Sequence, residues 1–398
     1  MSFAMKSPAE SSSRTEFSVL LAADSFKGSA SSEAIEKYLE AGVLRALPHA
    51  QIKKVLIADG GEGTVDAFVS GCGGKVKSVQ VEDPFGRPIV ARLGMLTNGC
   101  AVVETAEAAG IRFSSCTDED ARRASTYGVG QLLRAALDLG VHRIYVGLGG
   151  SATSDGGCGM AEALGALFLD TSGKQVIRGL EGLPYIAHVD MSHFDRRVYD
   201  TEIIALSDVN NPLSGKHGAI YTFGPQKGLL FSRLREYDDR MRHYAHTVSA
   251  ATKDNHALST GAGAAGGLGF GLLSFCGAAA MSGIQALLDA VHFDEQLQGV
   301  NLVITGEGRM DNQTAYGKAP VGVARRAALQ GIPTYAVVGS HTEDISKVHE
   351  VGIQQVFASA PAGLSLEECM KRTPEDVSTA AERAVRSFIR KFWPTSLH

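Results

Sequence analysis

The sequence predicts an α/β protein of two domains. One is a discontinuous flavodoxin/Rossmann-like domain with a doubly wound parallel sheet; the other is an inserted α/β domain with a mixed sheet. Three observations carry this reading. Over residues 17–70, short apolar runs that end at glycines alternate with helical periodicity. The same rhythm resumes from residue 301. Between the two, closely spaced short strands joined by turns mark a different architecture. The expected divisions are an N-terminal extension at 1–15, the discontinuous domain at 16–75 and 285–398, and the insert at 76–284.

Residues 1–15 are serine-rich and carry no apolar core, so they read as a disordered extension and not a secretory signal. Residues 17–22 (FSVLLA) form the first expected strand. After the sequence DSFKGS at 24–29 a helix follows, capped by Ser29 or Ser31, with Ile35, Tyr38, Leu39 and Val43 on one face and Pro48 at its end. A second strand at 52–57 runs into ADGGEGT at 58–64, and a helix over 64–69 stops at Gly71. Beyond Gly74, strands are expected at about 76–81, 89–96 and 100–104, with the turn PFGRP at 84–88. A helix near 126–139 precedes a strand at 143–148, which ends in GGSATSDGG at 149–157. The strand at 202–206 ends in SDVNNP, and a polar helix near 232–251 leads to a glycine run.

Nothing between residues 257 and 288 is charged, which is long enough to span a bilayer. Eight glycines within 261–284 point instead to a loop entering a buried helix. Next comes a strand at 302–305 that turns abruptly at Gly306. A helix near 321–330, a strand at 334–338, a further helix, a strand at 354–358 and a helix near 377–392 complete the chain.

With 38 basic and 43 acidic residues the net charge is −5, so no polybasic surface for nucleic acid or anionic membrane is expected. Six scattered cysteines without a C-x-x-C pair fit a reduced compartment. A cytoplasmic protein is expected, an organelle of the peroxisomal kind remaining open; the terminal SLH is not the SKL address.

Five expected strands end in an acid: Asp24, Asp59, Asp155, Asp208 and Glu307. A strand-end acid commonly serves as a helix cap or turn former. Five of them beside Lys27, Lys227 and Lys318 also fit phosphoryl transfer, since carboxylates hold a hard divalent ion and lysines act as point charges on phosphate. The run Gly261-Ala262-Gly263-Ala264-Ala265-Gly266 matches G-x-G-x-x-G but lacks the preceding strand that a dinucleotide site needs. It reads as a nest of backbone N–H groups for phosphates, or as a glycine loop packed closely on a neighbour. The sequence has no Walker loop, no H-R-D or D-F-G, and no zinc-ligand spacing.

In order along the chain, DSFKGS, ADGGEGT, GGSATSDGG, SDVNNPL, GPQKG, GAGAAGGLG and TGEGRMDNQT-x-x-GK-x-P strongly resemble the glycerate kinase type I family. The match runs from about residue 17 to 340. Ser154 departs from the family's more frequent asparagine, and Ser207 stands where a cysteine is frequent. The resemblance implies phosphorylation of D-glycerate by ATP with Mg²⁺, usually to 2-phosphoglycerate. A flavodoxin-like domain holding an insert is also implied.

On that footing the expected cofactor-binding residues are Asp155, Gly156, Gly261, Gly263, Gly266, Gly267, and Lys318 or Lys227. Asp59, Glu62 and Asp208 are the Mg²⁺ candidates. Ser25, Lys27 and Arg309 would hold the glycerate carboxylate, with Glu307 and Asp59 beside it. Asp311 or Asp24 would accept the proton of the attacking hydroxyl, with Lys27 and Asp208 completing the catalytic set. A homodimer stays open. The alternatives are phosphorylation at the 3-hydroxyl, another small hydroxy acid, a nicotinamide oxidoreductase built on the glycine run, or a non-catalytic homologue.

Overall fold

The computed structural model describes residues 17–312, 314–361 and 363–392; the expected extension at 1–15 lies outside them. The strands in chain order are β1 (Ser18–Ala23), β2 (Gln51–Lys54), β3 (Gly74–Glu82), β4 (Pro88–Leu96), β5 (Cys100–Glu104), β6 (Arg143–Gly147) and β7 (Leu167–Leu169). Then come β8 (His188–Asp190), β9 (Glu202–Leu206), β10 (Ala279–Met281), β11 (Leu302–Met310), β12 (Thr334–His341) and β13 (Ile353–Ala358).

One sheet has the order β2-β1-β11-β12-β13 and is parallel throughout. Counted within this sheet alone the order is 2-1-3-4-5, the flavodoxin arrangement, whose switch point falls between β1 and β11. Alternation along β1 explains how both faces are covered. Val19, Leu21 and Ala23 pack with Ile35, Leu39 and Val43 of the helix Ser32–Ala46 and with Val377 and Ala381 of the helix Leu366–Phe392. Leu20 and Ala22 point the other way, onto Val323 of the helix Ala319–Leu329 and Leu287 of the helix Gly283–Ala290. Such a strand reads as a continuous apolar run because neither face meets water. Ser31 caps the first helix, accepting from the Ala34 N–H at 3.3 Å.

The other large sheet has the order β3-β4-β5-β6-β9-β10. Its first three strands are antiparallel and the rest parallel, so it is mixed. β7 and β8 form a separate pair. The helix Thr64–Cys72 follows β2 in sequence but packs on β3, β4 and β5. Buried Glu104 at the end of β5 fixes it there by accepting from the Val65 N–H at 2.6 Å. This helix and Gly283–Ala290 share one apolar core between the two sheets. Among the described residues no helix is long and apolar enough to cross a membrane.

Two expectations need correction. β11 does not turn at Gly306 but runs on through Gly308 and Arg309 to Met310, paired with β12. A side chain at Gly306 would come within 2.1 Å of the Val337 carbonyl oxygen, and one at Gly339 within 2.4 Å of that of Gly308. These glycines therefore mark close backbone approach within a strand, and not a bend. The last helix begins at Leu366 and not near 377, with Pro374 inside it. Its start carries a capping box: Ser365 N–H donates to Glu368 Oε2 at 2.9 Å, and Glu368 N–H donates to Ser365 Oγ at 3.3 Å.

The two sheets meet through glycines. Gly149, just beyond β6, donates its N–H to the Gly60 carbonyl at 3.0 Å, and a Cβ on it would lie 2.4 Å from Gly61 Cα. A Cβ on Gly283 would lie 2.3 Å from the Asp59 carbonyl oxygen. Gly149→Ala is expected to lower stability by about 1–3 kcal/mol, because two backbones must separate to admit the methyl group. Urea unfolding of the variant measures it; a ΔG unchanged from wild type contradicts the contact.

Candidate active site

The site starts at the switch point. Ala23 and Gly306 are in register, and Asp24 N–H donates to the Gly306 carbonyl at 2.9 Å, so Asp24, just past β1, and Glu307, within β11, stand side by side. Asp24 is buried, with its Oδ1 accepting from the Ser25 N–H at 2.7 Å. Burial and the nearby carboxylate of Asp59 push its pKa up to about 7, against the Ser25 hydrogen bond and the charge of Lys27. Glu307 is also raised, chiefly by burial. Thr314 Oγ1 donates to its Oε1 at 2.6 Å and Lys318 Nζ to its Oε2 at 3.2 Å.

A cleft of about 820 Å³ opens over this point. Asp24, Ser25, Lys27, Asp59, Glu307, Arg309 and Lys318 all line it. Glu62 lines a second cleft of about 780 Å³, which shares Ser25 and Lys27 with the first.

Two more carboxylates approach along the seam between the sheets. Asp59 Oδ1 accepts from the Gly61 N–H at 3.1 Å within a turn where Gly60 has φ 91°. Asp208 follows β9 and accepts on Oδ1 from the Gly283 N–H at 3.2 Å. Its Oδ2 is buried and has no hydrogen-bond partner among the described residues. Burial pushes Asp208 up to about 6, against a hydrogen bond from Ser282 and helped by the charge of Asp59. An orphaned carboxylate oxygen of this kind fits a cation, as does the mutual repulsion of Asp24, Asp59 and Glu307. Among the described residues no three acidic, histidine or cysteine side chains converge as a metal cage, so Asp59, Glu62 and Asp208 do not form one. Magnesium commonly takes one or two carboxylates and completes its shell with water and phosphate oxygens, so a pair suffices.

The remaining expected residues are put to other uses. Asp155 has no exposure, and its carboxylate accepts from Thr126 N–H at 2.8 Å, Thr126 Oγ1 at 2.9 Å, and the N–H groups of Gly157 and Gly159 at 3.2 Å each. Four donors leave it no face for a ligand; it holds a turn and a helix start. Lys227 is buried and donates to Ser151 Oγ at 3.0 Å and the Thr153 carbonyl at 2.6 Å; burial brings its pKa down to about 7.

The glycine run is a packing surface. Gly263 donates its N–H to the Asn211 carbonyl at 2.9 Å, and Gly266 accepts on its carbonyl from the Gly156 N–H at 3.1 Å. A Cβ on Gly266 would lie 1.9 Å from the Thr153 carbonyl oxygen, one on Gly267 2.8 Å from Gly156 Cα, and one on Gly261 3.5 Å from the Val209 carbonyl oxygen. The run is thus pressed against the loops that follow β6 and β9, and it buttresses the segment carrying Asp208. Asp311 does not line the clefts. Its Oδ1 accepts from the Thr314 N–H at 3.2 Å, and Thr314 in turn holds Glu307.

One wall of the larger cleft was not anticipated. Leu366, Cys369, Met370, Thr373 and Asp376 of the last helix line it, and Ser29 Oγ and Thr373 Oγ1 share a 2.6 Å hydrogen bond. This half of the helix precedes Pro374, and Ser365-x-x-Glu368 was the signal that could have found it.

A flavodoxin-type sheet whose switch point gathers acids, lysines and an arginine under a cleft defines an α/β enzyme acting on small polar ligands. Residues 19–389 match the model of the glycerate kinase family. The chain is 40% identical to a glycerate kinase of Halalkalibacterium halodurans over 91% of this chain and 96% of that one. It is 37% identical to the glycerate 2-kinase of Escherichia coli K12, again over 91% and 96%. The crystal structure of a putative glycerate kinase 2 from Salmonella typhimurium LT2 superposes with a TM-score of 0.82 at 36% identity, over 94% of this chain and 99% of that one. The chain belongs to the glycerate kinase family and is a kinase.

The raised Asp24 carboxyl has a consequence for stability. Its native pKa of about 7 lies above the ordinary value of 3.8, so between these pH values the folded state binds the extra proton. Stability therefore falls as pH rises through that window and stays lowered above it. Asp24→Asn, which keeps an acceptor for the Ser25 N–H, is expected to raise Tm at pH 8, with the gain shrinking towards pH 4. Scanning calorimetry at both pH values checks this, and an equal change at both would contradict it.

Proposed function

We propose that the protein transfers the γ-phosphoryl group of ATP, with Mg²⁺, to D-glycerate, most often at its 2-hydroxyl, in the cleft above the β1–β11 switch point. The observation that carries this reading is the convergence of Asp24, Lys27, Asp59, Glu307, Arg309 and Lys318 on one cleft, in a chain matching the family from residue 19 to 389.

Arg309 and Lys27 are the groups for the substrate carboxylate; a guanidinium presents two parallel N–H donors to it, and Ser25 adds a hydroxyl. Asp24 is the general base. A pKa of about 7 lets it accept the proton of the attacking hydroxyl near neutral pH, the condition under which a base works best. Asp311, held in the turn with Thr314, positions Glu307, and Glu307 in turn orients the Lys318 ammonium towards the phosphates. Asp59 and Asp208 are the carboxylates for Mg²⁺, with Glu62 behind them in the adjoining cleft. Bound Mg²⁺ would supply neutralisation of the phosphate charge. The six cysteines are all free, which agrees with a cytoplasmic enzyme.

Incubation with ATP, Mg²⁺ and D-glycerate, followed by ³¹P NMR of the product, tests the reaction. 2-Phosphoglycerate is expected; 3-phosphoglycerate would move the attack to the other hydroxyl, and no phosphoglycerate would sink the reading. Asp24→Asn is expected to lower kcat by roughly 10²–10⁴-fold and to remove the acid limb of the kcat/KM profile near pH 7. Asp311→Asn should cost less, since it acts through Thr314. A variant without Asp24 that retains near-normal turnover would remove it as the base.

A further inference from the structure

The larger cleft has a second end whose chemistry the phosphoryl-transfer residues do not use. Its cations, Lys27, Arg309 and Lys318, lie at the switch point. Moving across the sheet, the lining passes Gly339 and Ser340 at the end of β12 and Ser359 just beyond β13. It finishes on Pro361, Leu364, Leu366, Cys369 and Met370. Asp376, the acid on that side, is paired with Arg372 at 3.0 Å. β13 is two strands from β11, so the Pro361 and Leu364 side of the cleft, just beyond β13, lies roughly 10 Å or more from Glu307, while Met370 and Thr373 reach back onto the DSFKGS loop.

Resting on the kinase reading above, we propose that this apolar end seats the heteroaromatic base of the nucleoside triphosphate. The triphosphate then lies along the β12 and β13 ends, towards the lysines at the switch point. Three observations support it. A cleft of about 820 Å³ is far larger than a three-carbon acid needs and falls in the range of sites that enclose much larger ligands. The gradient from cations through small hydroxyl residues to apolar side chains matches a nucleotide read from phosphate through sugar to base. Leu366 is 74% exposed and Leu364 37%, apolar surface at the mouth that a flat ring would cover. The wall is also preformed. Thr373 is hydrogen-bonded to Ser29, and a Cβ on Gly28 would lie 3.1 Å from Met370 Cε, so the helix is docked on the DSFKGS loop. The glycine run in the other sheet, expected to take the phosphates, is closed by packing against its neighbours.

Cys369 lies in this wall and is partly exposed, whereas Cys116 is exposed outside it. The full-length protein, treated with N-ethylmaleimide and analysed peptide by peptide by mass spectrometry, therefore reports on the seat. ADP at ten times its Kd is expected to slow labelling of Cys369 roughly tenfold and leave Cys116 unchanged, while D-glycerate alone protects neither. Protection of Cys369 by D-glycerate and not ADP, or by neither, overturns the assignment. Leu364→Glu should raise the nucleotide KM by about tenfold or more and leave the glycerate KM unchanged, since a carboxylate beside the base costs at least about 1.4 kcal/mol. An effect on the glycerate KM alone counts against the seat. Turnover of ATP and glycerate without ADP protection of Cys369 removes only the base seat. ADP protection without such turnover supports the seat and removes the acceptor assignment.

Discussion

The constraint on which the rest depends is the crowding of carboxylates where β1 and β11 separate. Parallel register puts Asp24 and Glu307 one residue beyond a matched pair, Ala23 and Gly306, so neither can avoid the other. Asp59 then arrives on the loop after β2, close enough to raise Asp24, and Asp208 arrives from β9, close enough to feel Asp59. Like charges held together in a partly dry site oppose folding unless cations neutralise them or protons stay bound. The protein meets that cost with Lys27 and Lys318 and with a carboxyl that keeps its proton to about pH 7. The same frustration is what the proposed roles draw on, a carboxylate set suited to cations and a carboxyl that titrates near neutral pH.

Holding Asp59 and Asp208 there requires two sheets to come closer than side chains permit. Gly60, Gly61, Gly149 and Gly283 provide the clearance, and each faces backbone or Cβ atoms across the seam. The glycine run acts one layer further out. Gly261 and Gly263 lie against the segment Val209–Pro212, so the Asp208 loop is held from behind. The motifs of the second sheet thus serve the site mostly by geometry. Lys227 belongs with them: its ammonium fastens the loop after β6 through Ser151 and Thr153.

Most of the architecture was legible in the sequence because buried parallel strands and amphipathic helices leave simple periodicities. Val19-Leu20-Leu21-Ala22 announces a strand covered on both faces, and Ile35, Leu39 and Val43 announce a helix covered on one. The errors arose where a residue's usual local meaning was overridden by a neighbour far away in sequence. Gly306 read as a turn, but Gly306 and Gly339 serve strand-to-strand approach against the carbonyls of Val337 and Gly308. The last helix, expected from near 377, begins at Leu366 and passes through Pro374, started by the Ser365 box and tied to Ser29. The cleft's acids and lysines at the switch point could be named from position, since ligands collect at the carboxyl ends of parallel strands. The partners that saturate Asp155 could not, because Thr126 is remote in sequence.

Asp155 and Asp208 carry the same sequence signature, an acid beyond a buried strand, and hydrogen-bond accounting separates them. A carboxylate offers about four acceptor positions. Asp155 accepts on both oxygens, from Thr126 twice and Gly159 on Oδ2 and from Gly157 on Oδ1, and it is fully buried, so it is engaged in fixing a turn. Asp208 accepts from Gly283 on Oδ1 and is also hydrogen-bonded by Ser282, while its Oδ2 is buried without a partner among the described residues. Burying an unsatisfied carboxylate oxygen costs free energy that a folded chain has reason to avoid, unless a ligand completes the shell. The residual lone pairs therefore distinguish a structural acid from one held ready for a cation. By that measure the acids along the seam and at the switch point keep acceptor capacity for the proposed ligands, and Asp155 is part of the scaffold behind them.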